Sequence, residues 1–133
     1  MEKVRIITDS GADLQPPFPQ CLTVMPLTIH FGSEEFRDGE TIDHKTFYER
    51  LASDACFPTT SLVPPGEFEA AFRRAQEAGE AVVAVTLSSR LSGTYQSAVM
   101  AAQEFEDVYV VDSLNATLGE QILVRYALSL IHI

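Results

Sequence analysis

The chain has 133 residues, 46% of them apolar, with 9 basic against 19 acidic side chains and a net charge of −10. That length is one domain with room for a real core. The charge excludes nucleic acid as a partner, because phosphate binding needs clustered Lys and Arg, and it disfavours anionic membrane surfaces.

Met1 to Ser10 reads as a strand over Val4 to Thr8, not a signal peptide, since Asp9 ends a short apolar run. Gly11 to Gln20 carries Pro16, Pro17 and Pro19 and is a loop or an interrupted helix. Leu22 to Phe31 alternates as a strand with a weak point at Pro26, and Phe31 to Gly39 reads as a turn and a hairpin arm. Asp43 is the expected N-cap of a helix whose apolar face is Phe47, Leu51 and Tyr48. Glu67 to Ala78 is the clearest helix, with Phe68, Ala71, Phe72, Ala75 and Ala78 on one stripe and Gly79 at its C′ position. Ala81 to Leu87 is continuously apolar, as a strand covered on both faces is. Thr94 to Ala102 is a helix, Val108 to Val111 a strand and Leu118 to Leu130 a helix. The stripe Ile122, Leu123, Tyr126, Ala127 and Leu130 of the last helix is expected to pack on the sheet. Strands alternating with helices predict an α/β fold with a mainly parallel sheet flanked by helices.

The most informative segment is LSSRLSGTYQSA, Leu87 to Ala98. A strand stops, a hydroxyl-rich turn follows and a helix begins. First-turn amides lack intrahelical partners, and the helix dipole favours an anion there. Ser92 is the expected N-cap, and Gly93 allows close approach to the backbone. Pro58-Thr59-Thr60-Ser61, Asp112 to Thr117 and Thr8-Asp9-Ser10-Gly11 are three more polar turns beside strand or helix ends. In an open parallel sheet such turns gather at the carboxyl ends of the strands.

Thr8-Asp9-Ser10 with Ala12-Asp13-Leu14, then Pro58 to Ser61, Ser89 to Ala98 and Val111-Asp112-Ser113 resemble the DegV family in order and spacing. The resemblance implies a non-catalytic carrier that binds a long-chain fatty acid and presents it to a fatty acid kinase. It implies carboxylate contacts at Thr60 and Ser92, with Ser61, Gly93 and Thr94 beside them. It covers residues 1 to about 128, as the family's N-terminal α/β domain. The family's C-terminal domain is expected to be absent. Residues 129–133, apolar and uncapped, are expected to be a tail of foreign origin in a truncated reading frame.

Hydroxyls and helix-end amides can hold a carboxylate without lysine, and an acyl tail then needs an apolar tunnel. Phe57, Leu62, Leu91 and Tyr95, with Phe18 and Val63, are candidate lining, against core packing as the alternative. The other function is a serine-dependent hydrolase or acyltransferase using Ser92 or Ser89, with His30 or His44 as base and Asp112 as orienter. The G-x-S-x-G elbow is missing from it. Neither nucleotide motif is present. Asp9 with Asp13, or Asp38 with Asp43, could hold a cation, but turn-stabilising hydrogen bonds account better for Asp9. No cysteine or histidine spacing predicts a metal, no run approaches the about 18 apolar residues of a membrane span, and no cofactor is expected. The expected location is the cytoplasm.

Overall fold

The computed structural model describes residues 3–131. Strand β1 (Lys3–Asp9) pairs in parallel with β2 (Leu22–Met25) on one side and β6 (Glu80–Thr86) on the other, and β7 (Val108–Asp112) pairs in parallel with β6. The four-stranded order is β2-β1-β6-β7, the parallel α/β sheet expected. A second, antiparallel sheet has the order β4-β3-β5, from β3 (Thr28–Phe31), β4 (Glu34–Arg37) and β5 (Thr59–Ser61).

Helices α2 (Pro65–Glu77) and α3 (Thr94–Ala102) cover one face of the parallel sheet. Helix α4 (Thr117–Ile131) covers the other. Successive strand residues point to opposite faces, so Ile7, Val82 and Ala84 join Phe68, Phe72 and Ala98 on the first side. Ile6 and Val85 join Val124 on the second. Gly79 at φ +70 terminates α2 as its C′ residue, a conformation that costs glycine nothing. Asp43 caps α1 (His44–Ser53), accepting from the Thr46 amide at 2.7 Å.

Four expectations change. The single strand from Leu22 to Phe31 is two strands in two sheets, because Pro26 lacks the amide that would continue the ladder. Residues Thr59 to Ser61 are an edge strand, not a turn, paired to β3. On α1, Phe47 packs on Ile29, Phe31 and Ile42 while Tyr48 and Leu51 are exposed.

The fourth is the orientation of α4. Its buried line is Glu120, Val124, Ala127, Leu128 and Ile131. Ile122, Tyr126 and Leu130 lie open at 57%, 62% and 51% exposure, and Leu118 and Leu123 are exposed beside them. Both sides of this helix are apolar, so periodicity alone could not choose between them. Val124 and Ala127 are small enough for close approach to the sheet. Helix α4 runs unbroken through Ser129 to Ile131, and Ile131 packs against the Val124 cluster. His132 and Ile133 of the expected tail lie outside the described residues. No helix among the described residues is long and apolar enough to cross a membrane.

Candidate functional site

The sheet order reverses between β1 and β6, since the chain builds outward from β1 to β2 and later from β6 to β7. Open parallel sheets bind ligands at the carboxyl side of such a switch point. Here that point is the meeting of Asp9 with Leu87. Asp9 Oδ2 accepts from the Leu87 amide at 2.8 Å, and Oδ1 accepts from the Gly11 amide at 3.0 Å.

From Leu87 the loop is built amide by amide. Ser88 N–H donates to the Asn115 carbonyl at 2.8 Å. Ser89 N–H donates to Asp112 Oδ1 at 3.1 Å, and Arg90 N–H to Ser88 Oγ at 3.2 Å. The Leu91 and Ser92 amides both reach the Ser88 carbonyl. Thr94 N–H donates to Ser92 Oγ at 3.2 Å. The amides of Gly93, Tyr95 and Gln96 then have no acceptor among the described residues. They form the N-terminal end of α3, where orphan donors and the helix dipole together favour an anion.

Ser92 therefore acts as a cap, but from one residue before the cap position, which Gly93 occupies. Thr94 is fully buried. Its Oγ1 lies 2.9 Å from Ser92 Oγ and accepts from the Val63 amide at 3.3 Å. Thr94 is thus a joint between the start of α3 and Val63, two residues after the end of β5. A Cβ built on Gly93 would lie 2.8 Å from Leu62 Cδ2, the tip of an exposed side chain that packs against the Gly93 backbone.

Strand alternation separates the two β5 hydroxyls. Thr60 pairs with Ile29 and lines a small cavity of about 160 Å³ with Leu27, Phe47, Tyr48, Asp38 and His44. Ser61 lies on the opposite face with His30, whose Nε2 is 2.7 Å from Ser61 Oγ and whose Nδ1 is 3.5 Å from Glu35 Oε1. Sequence reasoning misses this Ser61–His30–Glu35 row, which only strand pairing creates. Ser89 and Ser92 have no histidine partner among the described residues. His44 meets Gln15 and Asp13, and Asp112 staples the loop through Ser89 and Leu114 rather than orienting a base. His132 lies outside the described residues.

Among the expected lining residues, Val63 is wholly core. Phe57 and Leu91 are exposed, Leu62 is exposed against Gly93, and Tyr95 is half-buried. The cavity beside Thr60 is smaller than the ~300–1,000 Å³ usual for ligand pockets. These residues line an open surface rather than an enclosed tunnel. Among the described residues no group of three or more His, Cys, Asp or Glu side chains could hold a metal ion.

The site's electrostatics are set by carboxylates. Burial opposes ionisation of Asp112, but hydrogen bonds from Ser89 and Leu114 and the charge of Arg90 hold it below its ordinary range. Burial, the charge of Asp9 and a hydrogen bond to Asp9 push Glu120 up to about 9. Sequence reasoning does not pair Asp9 with Glu120, because they lie over a hundred residues apart and Glu120 sits inside an apolar helical pattern.

A family model for the DegV family, described as uncharacterised, matches residues 3–132. A DegV domain-containing protein of Clostridium perfringens is 38% identical over 98% of this chain and 48% of its own length. The structure is similar to a fatty acid (stearic acid)-binding protein from Eubacterium ventriosum, with a TM-score of 0.90, 29% identity and coverage of 97% of this chain and 47% of that one. It is also similar to a DegV family protein from Thermus thermophilus described by its fatty acid binding, with a TM-score of 0.85, 36% identity and coverage of 98% and 48%. The chain spans about half the length of these relatives.

Proposed function

The chain belongs to the DegV family, and on that premise we propose that it binds a long-chain fatty acid with the carboxylate at the N-terminal end of α3. The observation that carries this reading is the set of Gly93, Tyr95 and Gln96 amides without acceptors beside the Ser92 hydroxyl. A carboxylate supplies the acceptors these groups lack, and charge-assisted bonds of this kind are stronger than neutral ones. In this reading Thr60 contributes from β5, with Ser61 next to it in the chain, and Thr94 ties the start of α3 to Val63 just beyond that strand. Each methylene of the tail removed from water contributes about 0.8 kcal/mol, so the tail supplies most of the affinity and the head group its orientation.

The protein acts in this reading as a carrier, not an enzyme, and offers the carboxylate to a fatty acid kinase. A cytoplasmic location fits two free cysteines, Cys21 and Cys56. The tail then lies over Leu62, Leu91, Tyr95 and Phe57 and is closed in by the further length that the relatives possess. We assign residues 1–128 to the N-terminal α/β domain of that arrangement. The open α4 line of Ile122, Tyr126 and Leu130 supports a missing partner surface.

Native mass spectrometry of the protein purified from bacteria, in this form and in one extended to the relatives' length, tests the reading. Intact fatty acid bound to the extended form is the expected result. Its absence from both forms overturns the reading. A second reading, hydrolysis of an acyl ester, is favoured only by the Ser61–His30–Glu35 row.

A further inference from the structure

Asp9 and Glu120 are both wholly buried, at 0% exposure, and face one another where β1, β6 and α4 meet. Gly11 marks the meeting point: a Cβ there would lie 2.8 Å from Asp9 Oδ1, 3.4 Å from Glu120 Oε2 and 3.4 Å from Leu87 Cβ. Each Asp9 oxygen already accepts a backbone amide, from Gly11 and from Leu87. Glu120 Oε1 accepts from the Thr8 hydroxyl at 3.1 Å. Glu120 Oε2 is buried and receives no donor. Two carboxylates cannot both stay ionised in such a place, because neither desolvation nor mutual repulsion is offset. One proton shared between them removes both penalties, and Oε2 is the oxygen free to carry it.

We propose that Glu120 is a positioning residue that carries a proton and donates it to Asp9, so that Asp9 in turn fixes the Leu87 amide at the root of the Ser88–Gly93 loop. The consequence for ligand rests on the reading of that loop as the carboxylate site; the proton-bearing pair does not. In this arrangement Glu120 donates to Asp9, Asp9 accepts from the Leu87 amide, and the chain continues from Leu87 directly to Ser88 and on to Ser92. Loss of the proton turns the pair into two facing anions and pushes α4 and the loop root apart.

Among the described residues the surroundings offer no buried cation that would relieve this, and Arg90 of the loop is exposed, with its charge felt by Asp112. Strand β1 presents Thr8 and Asp9, with Arg5 engaged by Glu80 near its other end. The turn Ser10–Ala12 presents no charge and is followed by half-exposed Asp13, which faces His44. Strand β6 presents Thr86 and no ionisable group near this end. Asp112 at the end of β7 is held by Ser89 and Leu114. On α4 itself the base is Arg125, exposed and five residues on. Burial and the neighbouring Asp9 raise Glu120 to about 9, in the direction the geometry requires.

The test is a carbon-13 NMR titration of the side-chain carboxyls from pH 5 to 10 on the 133-residue chain and its Glu120→Gln variant. Amide exchange at Leu87 and stearate affinity are read alongside. The carboxamide introduced by Glu120→Gln can donate to Asp9 and accept from Thr8 as the protonated acid does. The expected wild-type result is a Glu120 carboxyl that titrates near 9. Above that pH, Leu87 exchange should run at least tenfold faster than in Glu120→Gln. Stearate affinity should fall between pH 8 and 10 in the wild type and hold in Glu120→Gln. A Glu120 carboxyl that titrates below 6 overturns the proposal, and this needs no variant to fold. So do equal Leu87 exchange in the two proteins and a Glu120 resonance moved at pH 7 by added calcium or magnesium, which would make the bridge a cation. Absence of stearate binding at every pH, with the titration and exchange as expected, upholds the positioning pair and overturns only the carboxylate site.

Discussion

Gly93 and Leu62 meet so closely that a side chain on residue 93 would come within 2.8 Å of Leu62 Cδ2. This contact lays the side chain of Leu62, the residue after β5, against the backbone just before α3. Leu62 is exposed and can swing away, so Gly93→Ala is expected to leave the melting temperature within a few degrees of the wild type. It should weaken fatty acid binding by about tenfold, or ~1.4 kcal/mol, by covering the Gly93 and Tyr95 amides. Isothermal calorimetry with stearate and a thermal melt separate the two effects, and an unchanged affinity removes the Gly93 backbone from the site.

The hydroxyls should divide by face. Ser92→Ala and Thr60→Ala are each expected to weaken binding by about 1.5–3 kcal/mol, as for lost hydrogen bonds to a charged group. Ser61→Ala should matter less, because its hydroxyl is engaged with His30 at 2.7 Å on the opposite face. Unchanged affinity in the first two eliminates them as ligands. The same Ser61→Ala protein tests the hydrolytic reading: turnover of a nitrophenyl ester by the wild type, lost in the variant, would replace the carrier by an enzyme.

The outer line of α4 exposes Ile122, Tyr126 and Leu130. An apolar stretch of this kind in a folded chain marks a surface that another surface covers. The 133-residue chain is expected to bind a hydrophobic dye and to self-associate at high concentration. Ile122→Lys with Tyr126→Lys should abolish both without lowering the melting temperature. A wild-type chain that stays monomeric and dye-free argues that this face needs no partner.

Leu114 adopts φ 54 in the turn between β7 and α4, a left-handed conformation that costs an ordinary L-residue roughly 1–2 kcal/mol. It is 64% exposed, so little packing is lost on replacement. Leu114→Asn is expected to stabilise the fold by about 1 kcal/mol in urea titration. A loss of stability would show that the leucine side chain holds the turn.

Asp112 and Glu120 bracket the same loop with opposite pH behaviour. Asp112 sits below its ordinary range, with burial opposing and the Ser89 and Leu114 hydrogen bonds prevailing. Its stabilisation is present above the unfolded value near 4 and is lost as pH falls through the folded value. Glu120 is raised to about 9, so its contribution is complete below about 4.5 and declines up to about 9. Wild type and Asp112→Asn should differ in urea midpoint at pH 6 and converge toward pH 3. Wild type and Glu120→Gln should diverge as pH rises toward 9, the variant becoming the more stable.

Local physics was readable from the chain alone. Helix α3 begins and ends at Thr94 and Ala102 as expected, because small residues and a polar turn delimit an apolar run. Gly79 ends α2 and Asp43 starts α1 for reasons confined to a few neighbouring residues. The order of strands and helices sufficed for the parallel sheet. Tertiary structure decided which of two apolar faces α4 would bury, since both satisfy the same periodicity and only the shape of the sheet selects Val124 over Ile122. It also decided that Thr60 and Ser61, adjacent in sequence, face opposite ways, because β5 is a strand only through its pairing with β3. Above all it decided the pairing of Asp9 with Glu120. A charge in an apolar helix looks like a surface residue until the sheet closes over it. Its proton then follows from burial, a property that no single segment possesses.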